Sequence, residues 1–126
     1  MSTTYHLEHV GIAASSDTFA ATVRFYEEVF GWHRIREEPD VLIFVGDGAG
    51  GRFEIFVSKA PPLAHPHHLA FAVSWEAFDG LAAQLRAAGT QMDEPFVNTF
   101  GDRIVFFTDP AGNRAQIVGR REPLTR

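Results

Sequence analysis

A chain of 126 residues is the size of one compact domain, or of two small repeated units sharing one core. Its hydrophobic fraction of 45%, with twelve Phe, supplies a sizeable aromatic core, while the lack of Cys excludes disulfides, thiolate catalysis and thiolate metal sites. The charge is −5 and the eleven Lys and Arg are scattered, with only Arg120 and Arg121 adjacent, so no basic face invites nucleic acid.

The N-terminal stretch Met1-Ser2-Thr3-Thr4-Tyr5-His6 has neither a basic nor an apolar leader region. No apolar run approaches the ~20 residues that span a bilayer. A cytoplasmic protein without a membrane partner is the expectation. The first strand follows at His9-Val10-Gly11-Ile12-Ala13. After Ser15-Ser16-Asp17, an expected N-cap, the apolar residues Phe19, Val23, Tyr26 and Phe30 recur at helical spacing, and Gly31 suits the position just past the helix. Three strands are expected next, over Trp32 to Glu37, Val41 to Gly46 and Arg52 to Ser58. Gly46, Gly48 and Gly51 satisfy a G-x-G-x-x-G pattern, but it lies between two strands and opens no helix, so it reads as a hairpin turn. Pro61-Pro62-Leu63-Ala64-His65-Pro66 reads as a stiff, extended joint.

Beyond the joint the pattern repeats. His68 to Val73 alternates as a strand, with Ser74 as the N-cap candidate. Phe78, Leu81 and Leu85 form a helical stripe that Gly89 stops. Strands are expected over Phe96 to Phe100, Arg103 to Thr108 and Asn113 to Val118, and Pro123 lies in a frayed tail. The two halves also match residue by residue. A shift of 62 carries Asp47-Gly48-Ala49-Gly50-Gly51-Arg52-Phe53-Glu54-Ile55 onto Asp109-Pro110-Ala111-Gly112-Asn113-Arg114-Ala115-Gln116-Ile117 without a gap, and a shift of 59 carries His9 onto His68. Two windows in one order at nearly one offset indicate a duplicated βαβββ unit.

The duplication sorts the polar residues. In the strand after Gly51, Phe53, Ile55 and Val57 form an apolar row for the helix, leaving Arg52, Glu54 and Phe56 on the other face. Arg114 and Gln116 share the corresponding face in the second half. His9 shares a row with Gly11 and Ala13, and His68 with Ala70 and Ala72, so small neighbours leave room beside each imidazole. A lone strand His is more often a packed or surface residue. Here His9 is equivalent to His68 and Glu54 to Gln116, so a pseudo-two-fold axis would bring two imidazoles, a carboxylate and an amide oxygen to one point. That donor set suits one divalent ion per site, Zn²⁺, Ni²⁺, Mn²⁺ or Fe²⁺. The tract at His65, His67 and His68 is explained by the joint and the strand start. Of Phe44, Phe56, Phe96, Phe100 and Phe106, most are expected in the core and the others as cavity walls, with Trp32 a further wall.

His9-Val10-Gly11-Ile12-Ala13 with Phe25-Tyr26-Glu27-Glu28-Val29-Phe30-Gly31 resembles the opening motif of the vicinal oxygen chelate superfamily, which includes glyoxalase I, bleomycin-resistance proteins and extradiol dioxygenases. His68-Leu69-Ala70-Phe71 resembles its middle motif, and Phe106-Phe107-Thr108-Asp109-Pro110-Ala111-Gly112-Asn113 its closing one. The resemblance runs from about Leu7 to Val118. It implies an α+β fold of two tandem βαβββ modules, about 5–60 and 66–119, forming a single domain with a cupped, partly open mixed β-barrel and helices outside. It also implies metal ligands at His9, Glu54, His68 and Gln116, a small-molecule substrate and a homodimer.

Glyoxalase I-like enzymes carry Glu where this chain has Gln116. Epimerase-like members combine two His, one Glu and one Gln, with Gln in the first half and Glu in the second, the reverse of the order here. An amide still ligates through oxygen, but it cannot accept a proton. The resemblance therefore implies a glyoxalase I-like lyase or isomerase with Glu54 as its one base, acting on a small carbonyl compound through a metal-stabilised enolate-type intermediate. Two alternatives stand beside it: a bleomycin-resistance-type protein sequestering an aromatic compound, and an Fe²⁺ extradiol-type dioxygenase using His9, His68 and Glu54.

Overall fold

The computed structural model describes residues 5–124. The ends considered above, 1–4 and 125–126, lie outside them. The chain divides into two compact units, one up to Pro61 and one from Pro62 onward.

The first unit runs β1 (Val10–Ala14), α1 (Phe19–Glu28), β2 (His33–Glu38), β3 (Leu42–Gly46) and β4 (Arg52–Val57). Its sheet has the order β1-β4-β3-β2, with β1 and β4 parallel and the remaining pairs antiparallel. Helix α1 covers one face because Phe19, Val23 and Tyr26 fall on one stripe, and all three are buried against Phe53 and Ile55. Tyr26 meets Phe53 edge-on at 4.8 Å. Trp32 packs 4.9 Å from Phe53, on this helix side, so it is not a wall of the opposite face.

The second unit repeats the plan with β5 (Leu69–Ser74), α2 (Phe78–Ala87), β6 (Gln91–Met92), β7 (Phe96–Val97), β8 (Arg103–Thr108) and β9 (Arg114–Arg120). Its order is β5-β9-β8-β6, with β5 and β9 parallel and β7 also on β8. Phe78 and Leu85 are buried, as the stripe requires. The first unit is thus one βαβββ module of an α+β fold, and the second is the same module with the strand after its helix split into β6 and β7, both paired with β8.

Three expectations change. The caps are the first: α1 is capped at Thr18 and α2 at Ala77, neither with a side-chain cap bond. Ser15 and Ser74 instead close a turn before each helix. The Ser15 carbonyl accepts from the Thr18 and Phe19 amides, and Ser74 Oγ accepts from the Ala77 amide. Second, the strand expected over Phe96 to Phe100 reaches only Val97. Asn98 Oδ1 accepts from the amides of Phe100 and Asp102, folding that stretch into a turn. Third, none of the five Phe assigned mainly to the core is buried. Phe44, Phe56 and Phe106 are half-buried on the face away from the helix, and Phe96 and Phe100 are exposed.

The joint is anchored at its far end. Asn113 Oδ1 accepts from the Leu63 amide, and the Leu63 carbonyl accepts from the Arg114 amide. No helix among the described residues is long and apolar enough to cross a membrane.

Candidate metal-binding half-sites

Strand pairing builds each half-site on the face opposite its helix. In the first unit Gly11 pairs with Glu54 and Glu54 with Phe44, so these three lie side by side. His9 precedes β1 by one residue, and its ring meets Phe44 edge-on at 5.0 Å. His9 and Glu54 therefore flank the same Phe. The room expected at Gly11 is in use: a Cβ there would lie 3.6 Å from Glu54 Oε1 and 3.0 Å from the Phe56 ring. A side chain at position 11 would press on the Phe56 ring, with the carboxylate in ordinary contact.

The second unit copies this frame. Ala70 pairs with Gln116 and Gln116 with Phe106. The His68 ring meets Phe106 edge-on at 5.6 Å. Here the two polar groups touch, with Gln116 Nε2 3.0 Å from His68 Nε2.

The imidazole tautomers follow from their partners. His68 Nδ1 lies 3.0 Å from the Pro66 carbonyl oxygen, which can only accept, so Nδ1 carries the proton and donates. The lone pair of the neutral ring is then on Nε2, where the Gln116 amide donates to it. His9 Nδ1 donates to Glu8 Oε1 at 2.9 Å, again directing the lone pair to Nε2. The hydrogen bond from His9 holds the Glu8 carboxyl below its ordinary value. An Nδ1–H bonded to a carboxylate or a carbonyl, which directs the lone pair to Nε2, is the second-shell arrangement of metal-ligating histidines.

The donor chemistry therefore fits a divalent ion, with two imidazole nitrogens, one carboxylate and one amide. Each unit brings two of the four residues onto one face. Among the described residues no group of three or more His, Cys, Asp or Glu is gathered. Glu8 and the Pro66 carbonyl were not picked out as site groups from sequence. The signal was there for Glu8, an acidic residue adjoining a candidate ligand.

The family described as Glyoxalase/Bleomycin resistance protein/Dioxygenase superfamily matches residues 6–117. Comparison with curated proteins finds no match. Among solved structures, the chain is similar to lactoylglutathione lyase from Agrobacterium tumefaciens, at 19% identity over 94% of this chain and 96% of that one, with a TM-score of 0.75. It is similar to a fosfomycin resistance protein from Listeria monocytogenes complexed with Mn(II) and sulfate, at 18% identity, 93% and 91% coverage and a TM-score of 0.80. It also resembles the oxidase ChaP-H2, at 25% identity, 94% and 95% coverage and a TM-score of 0.71.

Proposed function

This chain belongs to the Glyoxalase/Bleomycin resistance protein/Dioxygenase superfamily, and we propose that within it the protein is a metal-dependent lyase or isomerase of the glyoxalase type, acting on a small carbonyl compound. His9, Glu54, His68 and Gln116 would hold the ion. The observation that carries this reading is the pair of imidazoles whose Nδ1–H is engaged and whose lone pair is on Nε2, one in a unit with Glu54 and one beside Gln116. A bound divalent ion would supply Lewis acidity toward a carbonyl oxygen.

The chain's own residues would do the rest. Glu54 takes the proton from the hydroxyl-bearing carbon beside the carbonyl, and the electron pair of the broken C–H bond moves toward the carbonyl oxygen. Glu54 then returns the proton to the former carbonyl carbon while the hydroxyl proton passes to the other oxygen, so that carbonyl and hydroxyl exchange places. Gln116 has no proton to exchange at neutral pH, so one carboxylate serves both transfers. Phe44 and Phe106, each edge-on to an imidazole, would orient the rings.

The test is metal analysis of untagged protein, with turnover measured across a panel of small carbonyl compounds. One ion per site, lost together with activity in His68→Ala, is expected. Full turnover after complete metal removal would sink the proposal. A second reading, ligand sequestration, is favoured by Phe96, which is 48% exposed and stacked on Phe106 at 6.3 Å. Tight binding of aromatic compounds by metal-free protein would move the assignment there, and oxygen uptake with a catechol would move it to the dioxygenase alternative. We take the functional species to be a cytoplasmic homodimer, to be checked by sedimentation. Mixing His9→Ala with His68→Ala protein reveals which halves meet: recovered activity marks sites built across copies, and none marks sites within a copy.

A further inference from the structure

One row along the sheet from Glu54, the first unit contains a half-open cavity of about 220 Å³. His33, Ile35, Gly46 and Arg52 line it, together with glycines of the β3–β4 turn. Register explains how it forms. His33 pairs with Gly46 and Gly46 with Arg52, so an imidazole and a guanidinium stand on either side of a residue without a side chain. The bulge in β2 between Arg34 and Arg36 turns Ile35 over that gap, where its Cδ1 lies 2.5 Å from a Cβ built on Gly46. The floor is therefore apolar and the two sides are nitrogen donors.

We propose that this cavity is an oxyanion subsite that takes the carboxylate or phosphate-type group of the substrate. The inference rests on the proposed function and narrows its substrate class to anionic carbonyl compounds. Arg52 shares the Glu54 face and lies two residues from it, about 7 Å along a strand. An anion seated at Arg52 thus places the carbon a few bonds away beside Glu54. The volume suits a group of several atoms, since liquid water occupies roughly 30 Å³ per molecule. Arg52 makes no ion pair within the described residues and donates only a long bond, 3.4 Å, to the Glu8 carbonyl. The acidic groups nearby are Glu8, which is engaged with His9, and Asp47, whose Oδ1 accepts from the Ala49 and Gly51 amides.

The second unit shows what the same row looks like when it is closed. Its residues are Gln91, Thr108 and Arg114, paired in the same order. Thr108 puts a side chain where Gly46 has none. Arg114 is stacked on Phe106 at 4.1 Å and bonded to Asp93 at 3.4 Å. One copy of the guanidinium is committed to its own unit, and the other faces a cavity.

The experiment is an NMR titration of the full chain with inorganic phosphate, with and without metal. Amide shifts confined to the residues around His33, Gly46 and Arg52 are expected. Affinity should fall about tenfold in Arg52→Ala, the scale of one lost charge-assisted contact, and recover largely in Arg52→Lys. Unchanged affinity in Arg52→Ala, or shifts centred elsewhere, overturns the subsite. Repeating the titration on His9→Ala separates the two ideas: phosphate binding that survives there supports the subsite even if the metal proposal has failed, and binding lost there overturns its independence.

Discussion

The two units share a frame down to individual hydrogen bonds and differ in the side chains hung on it. In the first, Asp47 Oδ1 accepts from the Ala49 and Gly51 amides at 2.7 and 2.9 Å; in the second, Asp109 Oδ1 accepts from Ala111 and Asn113 at 3.0 and 2.9 Å. Each holds an imidazole edge-on to a Phe that pairs with the next polar group, Glu54 or Gln116. The divergence is concentrated on one face. Gln116 stands where the first unit has Glu54, Thr108 where it has Gly46, and the ion-paired Arg114 where it has Arg52, which makes no ion pair among the described residues. Folding needs the turn and the apolar row in both copies, so those persist. Under the proposed function a base and an open cavity are needed only once, which would free the second copy to act as a holder.

The largest expected effect comes from making the first unit resemble the second. Glu54→Gln keeps shape and removes the proposed base, so kcat should fall on the order of 10²- to 10⁴-fold, with some metal retained through the amide oxygen. Steady-state rates on metal-loaded protein check this, and a loss below threefold would refute the single-base scheme. The next largest lies in the second unit's turn. Asn113 is fully buried, donates to both Asp109 oxygens, and accepts from Leu63, whereas its counterpart Gly51 has no side chain. Asn113→Ala leaves the Leu63 amide and the buried Asp109 carboxylate short of partners, which should cost ~3 kcal/mol in denaturant unfolding.

Sequence showed the scaffold because the repeat let each half calibrate the other. The rows holding His9, Glu54, His68 and Gln116 were read from alternation alone; the registers place Gly11 beside Glu54 and Ala70 beside Gln116, with His9 and His68 one residue before their strands. What escaped depended on contacts distant in sequence or on competing local bonds. Ser15 and Ser74 looked like caps, but their oxygens are used one turn early. Asn98 ends a strand that Phe96 and Phe100 suggested, because its side chain satisfies two amides the ladder would have used. Arg52 could be placed on the Glu54 face, yet its cavity needs the bulge at Ile35 and the gap at Gly46, and no periodicity encodes either.

The reverse swap sharpens the division of labour. In Gln116→Glu the second unit gains the first unit's carboxylate, and the hydrogen bond from Gln116 to the His68 lone pair is lost. A second anionic ligand raises affinity for a divalent ion. Metal retention against a chelator should therefore improve about tenfold, roughly 1.4 kcal/mol. Turnover should stay within a few-fold, since Glu54 already supplies the base. Unchanged retention would mean that position 116 does not face the ion.

The smallest effect tests whether the shared turn has the same importance in both copies. Asp47 is exposed and its two amide bonds lie at the surface, whereas Asp109 is 3% exposed and also binds Asn113. Water replaces lost partners at an exposed turn, so Asp47→Ala should cost less than ~1 kcal/mol, near the net worth of a single exposed hydrogen bond. Asp109→Ala, which strips partners from buried amides, should cost clearly more. Both variants can be compared by urea midpoints at constant slope. Equal losses would show that the turn geometry itself, rather than its burial, carries the stability. The contrast matters for the cavity beside Arg52, because the turn that Asp47 holds forms one of its walls. A weakly anchored wall can adjust to an anion, and the tightly packed counterpart at Asn113 cannot.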